Sequence, residues 1–378
     1  MKFRSKLLPL SIAAATLSMG AVSAVQAQEQ VVKIGHTGPL SGPNAFAGKD
    51  NENGVRMAID DLNAKKLVVG GKTLKFELVS EDDQCDPKSG VAVAQKMTDA
   101  GIKYVMGPYC SGVAIPSSKV YDEGGAILST VGSNPKVTMG GYKSVFRIIA
   151  GDNLIGTSMA QYAVHNLKAK TAGVIDDRTA FGQGLAEEFI KEAKILGLTI
   201  VGQEYTTDKS TDFNAILTNM KGKNPDVILY GGYAGQAGPM TKQLKGLGLK
   251  AKLLGGDAIC SPETGKLAGD AANDTVFCAI GGAVLDKVAA GPAFKDAYKK
   301  KFNQEPDAYA ASFYDQTMFV ATTMQKLNTL DSAKVSAELH KGSYKGVVTT
   351  YAYDEKGNLQ KAPITVYTFK AGAPVPVQ

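Results

Sequence analysis

Gly107-Pro108-Tyr109-Cys110-Ser111-Gly112 follows the short apolar run Tyr104-Val105-Met106 and precedes a segment, Val113 to Tyr121, that can form a helix. Strand, loop and helix in that order put the six residues at the carboxyl end of a strand. Open α/β sheets place their ligand sites there. The stretch offers a phenol, a thiol, a hydroxyl and two glycines. By itself it reads as a catalytic centre, a binding edge or a structural staple.

The same rhythm runs outward on both sides. Val31 to Gly35 predicts a strand, ending in the Gly- and Pro-rich loop His36 to Pro43. A helix follows, with Val55, Ala58, Ile59 and Leu62 on one face. Gly70-Gly71 makes a turn, Leu74 to Val79 alternates as a strand, and the loop Ser80 to Pro87 leads to a helix with Val91, Ala94 and Met97 inward. Beyond the opening stretch, Ala126-Ile127-Leu128 is a strand ending at Ser129 to Pro135. Repeated β-loop-α units with crossovers of about 25–30 residues predict a parallel sheet covered on both faces. Right-handed crossovers put all these loops on one edge.

Val145 to Gly151 reads as a strand leading away into a second unit, where the alternation restarts. Strands are expected at Ala172 to Ile175, Thr199 to Tyr205, Val227 to Tyr230 and Lys252 to Leu254, with helices near 153–166, 182–196, 212–221 and 236–246. From about Thr275 come another strand and helices near 292–302 and 308–328. Val347 to Phe369 reads as two strands around the turn Asp354 to Asn358, returning to the second unit.

The chain has 378 residues, 44% apolar and 21% charged, enough for two α/β lobes. Its formal charge is +6, three of which come from Lys2, Arg4 and Lys6. The balance gives no clustered basic face and argues against nucleic acid. Those three cations precede an apolar stretch, Leu7 to Val22, and a small-x-small site, Val25-Gln26-Ala27, the pattern of an export signal cleaved near Ala27. The alternative, a membrane anchor, meets a run that is short for a span and contains Pro9 and Gly20. Four cysteines remain: Cys85, Cys110, Cys260 and Cys278. An even count in an exported chain favours two disulfides, with three pairings possible. Sequential pairing closes loops of about 25 and 18 residues, worth roughly 3 kcal/mol each. Buried free thiols are the alternative.

Catalysis finds little support. His36, His165 and His340 are far apart without metal-ligand spacing, so no metal or cofactor is expected. Gly38-Pro39-Leu40-Ser41-Gly42 has an extra residue for a nucleophile elbow, and Gly182-Gln183-Gly184 meets Glu187 where a dinucleotide fingerprint needs a small residue. Cys110 is a nucleophile only if free and activated by a base. Binding fits better. Ser111 begins a helix, where a hydroxyl and free N–H groups favour an anion. Gly132-Ser133-Asn134-Pro135 is a second strand-end loop. Asp257 can face an ammonium or cap a helix. Tyr109, Phe181 and Tyr233 are candidate walls, or ordinary core.

In this order and spacing, certain segments resemble the exported leucine/isoleucine/valine-binding family of ABC importers over nearly the whole mature chain. They are Gly38 to Pro43, Asn53 to Ala58, Cys85-Asp86-Pro87-Lys88, Gly107 to Ser111, Ser133-Asn134-Pro135, Phe181 to Ala186, Tyr230 to Tyr233 and Gly255-Gly256-Asp257. The resemblance implies the type I periplasmic binding fold: two doubly wound α/β lobes with parallel-type sheets, joined by three hinge strands crossing near Ala150, Ala279 and Gly346. Lobe 1 would be 28–150 with 279–345, and lobe 2 would be 151–278 with 346–378, after a signal over 1–27. It pairs Cys85 with Cys110, gives the ligand carboxylate to Ser111 and the Gly132–Ser133 loop, and sets Asp257 near the ligand ammonium. Tyr233 keeps the family tyrosine, Phe181 replaces a common tyrosine, Ala47 stands for a large aromatic, and Tyr109 replaces a smaller aliphatic residue.

The expectation is therefore a monomeric, non-enzymatic periplasmic receptor. It would bind a branched-chain or other apolar amino acid through Tyr109, Cys110, Ser111, Gly132, Ser133, Phe181, Tyr233 and Asp257, and deliver it to an inner-membrane ABC permease. The second reading is a same-fold receptor for a short amide, urea or aromatic acid. A thiol-dependent hydrolase and a sensory module are further rivals.

Overall fold

The computed structural model describes Met1 and residues 29–377, so the expected export signal lies outside the described residues. Two large sheets carry the chain. The first orders its strands Val68–Val69, Lys72–Asp82, Glu29–Gly38, Tyr104–Met106, Ile127–Thr130 and Val145–Arg147. All its pairings are parallel except the hairpin between the first two. Tyr104, Val105 and Met106 are all buried, as a central strand covered on both faces requires. The order reverses between Glu29–Gly38 and Tyr104–Met106, which makes the loops after these two strands the switch point of this sheet.

The second sheet runs Ala373–Pro376, Thr365–Lys370, Val276–Ile280, Lys252–Gly255, Val227–Gly231, Thr171–Asp176 and Thr199–Tyr205. Its first two strands are antiparallel additions to a parallel core. Here the order reverses between Thr171–Asp176 and Val227–Gly231, so the loops Asp177 to Thr179 and Gly232-Tyr233 occupy the switch point. This is the type I periplasmic binding protein fold.

Local chemistry explains the elements that matter for the cleft. The helix Ala45–Lys65 buries Val55, Ala58, Ile59 and Leu62, the stripe read from sequence. It packs against the helix Ala310–Leu327, where a side chain at Gly54 would run into the Ala310 backbone. Asp86 caps Pro87–Asp99 by accepting from Ser89 N, and Thr179 caps Ala180–Ile195 by accepting from Gly182 N. Gly107 has φ +123°, and a Cβ there would meet the Thr37 carbonyl, so the turn after Tyr104–Met106 requires glycine.

Val145–Arg147 is the first sheet's edge strand, paired with Ile127–Thr130, from which the chain passes on to the second sheet. One reading of the chain changes. Residues 344–360 do not return to the second sheet. Val347 N and Val348 N donate to the Asp315 carboxylate, and the Tyr353 hydroxyl donates to Gln316 Oε1. Arg147 N donates to Gly357 O, and Leu359 N to Arg147 O. The turn Asp354 to Asn358 is therefore clamped to the first sheet, with isolated bridges from Asn358 to Arg147 and between Tyr353 and Leu359. The strands that reach the second sheet are Thr365–Lys370 and Ala373–Pro376.

Candidate functional site

Both switch points face one cleft. From the first lobe comes the helix Ser111–Glu123, whose preceding residue Cys110 is bonded to Cys85. Cys110 makes no side-chain cap, so the helix begins with open backbone donors. The bond fixes the loop to the segment before Pro87 and leaves no thiol; all four cysteines are paired, the others as Cys260–Cys278. A hydrolase using Cys110 loses its nucleophile.

Ser111 Oγ accepts a hydrogen bond from Asn134 N at 3.2 Å, which leaves its own proton to donate. Gly132 N–H, expected among the free donors, is taken by Thr130 Oγ1 at 2.9 Å, so Gly132 shapes the loop rather than donating from it. The loop is held from behind by buried Arg147, whose Nη1 donates to Ser133 O at 2.9 Å and Asn134 O at 3.0 Å. Its Nη2 donates to Asn358 Oδ1 at 2.6 Å. From the front, Asn134 Nδ2 donates to Ala180 O across the cleft at 2.6 Å.

From the second lobe come Phe181, Tyr233 and Asp257. The Tyr233 ring lies 5.2 Å from Phe181 and 6.0 Å from Tyr109, so the three aromatics form one wall spanning both lobes. Asp257 opens a short 3-10 turn after Lys252–Gly255. The Cys260–Cys278 bond ties that turn to the neighbouring strand. Burial pushes the Asp257 carboxyl up to about 6, against a hydrogen bond from Tyr309 that lowers it. Asp257 Oδ1 has no partner among the described residues.

Three residues of this cleft were not read from sequence. Tyr309 precedes the helix over the first sheet, and its hydroxyl donates to Asp257 Oδ2 at 2.5 Å. Asp307 accepts from Ser261 Oγ across the cleft at 2.7 Å. Asp152, the first residue of Asp152–His165, is fully buried, and neither carboxyl oxygen has a full hydrogen bond. Burial, then the Asp257 charge, hold it well above the usual carboxylate range, while nearby Ser133 and Arg147 pull it down. Two buried carboxyls with unpaired oxygens thus share this region with the Ser133 loop, whose Asn134 N bonds the Ser111 hydroxyl. That arrangement suits a small molecule carrying an anionic and a cationic group.

The space is small at the inner end, a cavity of about 10 Å³ among Ala47, Asn51, Tyr109, Asp257, Asp307 and Tyr309. It is wide at the mouth, a cavity of about 580 Å³ between Ser41, Asp86 and Ile115 on one side and Arg178, Thr179 and Tyr233 on the other. A cavity of about 650 Å³ lies at the opposite edge of the first sheet, around Ile127 and His340. It is remote from both switch points. Among the described residues no cluster of His, Cys, Asp or Glu could hold a metal, and no helix is long and apolar enough to cross a membrane.

Residues 31–374 match the family model described as periplasmic binding protein. The leucine-, isoleucine-, valine-, threonine-, and alanine-binding protein of Pseudomonas aeruginosa is 30% identical over 361 residues, covering 95% of each chain. The branched-chain amino acid transporter substrate binding protein LivJ from Streptococcus pneumoniae, solved with isoleucine, is 26% identical with a TM-score of 0.82, covering 92% of this chain and 100% of that one. A Rhodopseudomonas palustris solute binding protein solved with benzoate shares the fold at 18% identity and a TM-score of 0.82, covering 92% and 96%. With its fold, its two facing switch points and nearly its whole described length matched, the chain belongs to the periplasmic binding protein family.

Proposed function

We propose that this chain is the periplasmic solute receptor of an ABC importer, and that it closes on an α-amino acid with a side chain of branched-chain size and hands it to a membrane permease. The reading rests on one observation: Asp152 and Asp257, both buried and both with unpaired oxygens, lie close enough for their charges to interact, and Asp152 N is bonded to the Ser133 loop that also bonds Ser111 Oγ. The ligand carboxylate takes the Ser111 proton and the helix-start donors, with Ser133 beside it. The ammonium takes Asp257 Oδ1 and Asp152, which become carboxylates as it enters. Tyr109, Phe181 and Tyr233 flank the ligand. The two lobes supply half the contacts each, so the ligand favours the closed form.

The lobes on this reading are residues 29–150 with about 281–360, and 151–280 with about 365–377. The third hinge then follows Gln360, because residues 344–360 are bonded to the first lobe. An aromatic acid, the second reading from sequence, brings a carboxylate but no cation for two buried carboxyls. A screen of thermal unfolding against the twenty amino acids, small amides and benzoate tests the assignment, since a ligand specific for the folded state raises its melting temperature. One or a few α-amino acids are expected to raise it. A rise with benzoate or an amide alone overturns the reading.

A further inference from the structure

We infer that the inner end of the cleft is a hydrogen-bonding subsite that takes a side-chain hydroxyl, so that a β-hydroxy amino acid binds in preference to its hydrocarbon isostere. This rests on the proposed reading that the cleft holds an α-amino acid.

The inner cavity has about 10 Å³ of free space, close to what a single polar group or water occupies. Most of its accessible wall is apolar, from residues such as Phe46, Ala47 and Ala308, with the polar side chains of Asn51, Asp257 and Asp307 set among them. Asn51, on the helix Ala45–Lys65, is 2% exposed, and its Nδ2 has no partner among the described residues. Among the polar neighbours Asp257 keeps Oδ1 unpaired, the oxygen assigned above to the ammonium, while Asp50 and Tyr309 are engaged. Asp50 accepts from the Tyr298 hydroxyl, Asp307 N and Ala310 N. Tyr309 gives its proton to Asp257. Asp307 accepts once at each oxygen, from Ala308 N and Ser261 Oγ, which leaves each oxygen a second lone pair.

One unpaired donor and one acceptor with spare capacity therefore border the same small space. A hydroxyl satisfies both, accepting from Asn51 Nδ2 and donating to Asp307. A methyl group of the same size satisfies neither and keeps the buried amide unpaired, which is the costly outcome. With the ammonium at Asp152 and Asp257 and the carboxylate at Ser111, the side chain is the part of the ligand left to enter. Ala47 keeps that wall low enough for it. Sites built to hydrogen-bond a hydroxyl discriminate strongly against the analogue lacking it. The branched-chain size expected from sequence is retained, but the tip is polar.

Threonine and valine are isosteres, and allo-threonine exchanges the hydroxyl and methyl positions, so the wild-type protein supplies the test without a substitution. Calorimetric titration is expected to rank one threonine diastereomer at least tenfold tighter than both valine and the other diastereomer. Asn51→Leu, at an unchanged melting temperature, is expected to bring all three within about threefold. Asp307→Asn provides a second variant if Asn51→Leu does not fold, and it is expected to lower the preferred diastereomer's advantage. Valine binding as tightly as both threonines, or an undiminished preference in a folded variant, overturns the subsite while leaving the amino-acid reading standing. Failure of all three ligands, together with all other amino acids, overturns both.

Discussion

Tyr309 Oη donates a 2.5 Å hydrogen bond to Asp257 Oδ2, joining the helix over the first sheet to the loop that ends a strand of the second. The bond occupies one oxygen of the acid and leaves the other, Oδ1, without a partner. Hydrogen bonds to a charged group contribute about 1.5–3 kcal/mol. Tyr309→Phe is expected to weaken ligand binding by about that amount in calorimetry, with little change in unfolding temperature of the free protein.

Asp257→Asn removes the charge that the ligand ammonium would meet. A buried ion pair broken on one side costs more than about 2 kcal/mol. Asp152→Asn is expected to act in the same direction, because its oxygens also lack partners. Equal affinity in either variant would remove that residue from the ammonium site.

The pH dependence has a definite sign. Burial raises Asp257 to about 6, so the free folded protein holds this proton where an unfolded aspartate has lost it. The stability from that proton is fully present below the unfolded value near 4 and disappears as pH rises through 6. An ammonium ligand needs the carboxylate, so its binding runs the other way. Affinity is expected to fall about tenfold from pH 7 to pH 5, since near pH 5 roughly a tenth of the acid is ionised. Asp152, raised further, adds to the same trend. His36, buried and pushed down to about 4, opposes it in overall stability but lies outside the ligand contacts proposed here. The ligand-induced shift in melting temperature, measured from pH 5 to 7, isolates the cleft. A shift that stays constant excludes an ionised Asp257 from binding.

The Cys85–Cys110 bond spans 25 residues and ends one residue before Ser111. Replacing both cysteines by serine is expected to cost about 2–4 kcal/mol in denaturant unfolding. It is also expected to weaken ligand binding, because the helix start loses its anchor. Unchanged affinity in the folded variant would make the bond purely structural.

Arg147 is the cleft's hidden support. Three of its donor contacts hold Ser133 O, Asn134 O and Asn358 Oδ1, all from inside the first lobe. Arg147→Leu strands those acceptors and is expected to destabilise the protein by about 3 kcal/mol. Denaturant unfolding measures the loss.

The alternation of short buried strands with amphipathic helices was legible in sequence because each signal is local. Tyr104–Met106 and the stripe Val55, Ala58, Ile59 and Leu62 needed no tertiary information. Ser111, Phe181, Tyr233 and Asp257 were legible as strand-end residues, and the right-handed crossover rule gathers such ends on one edge. Tyr309 and Asp307 were not, because they precede a helix that reaches the cleft only by packing on Ala45–Lys65. Asp152 was not singled out, because an acid in a first helical turn is common and only its missing partners distinguish it. The first-sheet contacts of residues 344–360 were not legible, because apolar alternation over Val347 to Phe369 cannot say which sheet receives each part. The Asp315, Gln316 and Arg147 contacts decide that, and they are remote in sequence.

The most direct test of the central claim compares, by calorimetry, the tightest-binding α-amino acid with its deaminated carboxylic acid on the same carbon skeleton. Binding of the amino acid is predicted to be at least a hundredfold tighter in the wild-type protein, with most of that difference lost in Asp257→Asn. A deaminated acid that binds as tightly as the amino acid would contradict an ammonium held by Asp152 and Asp257.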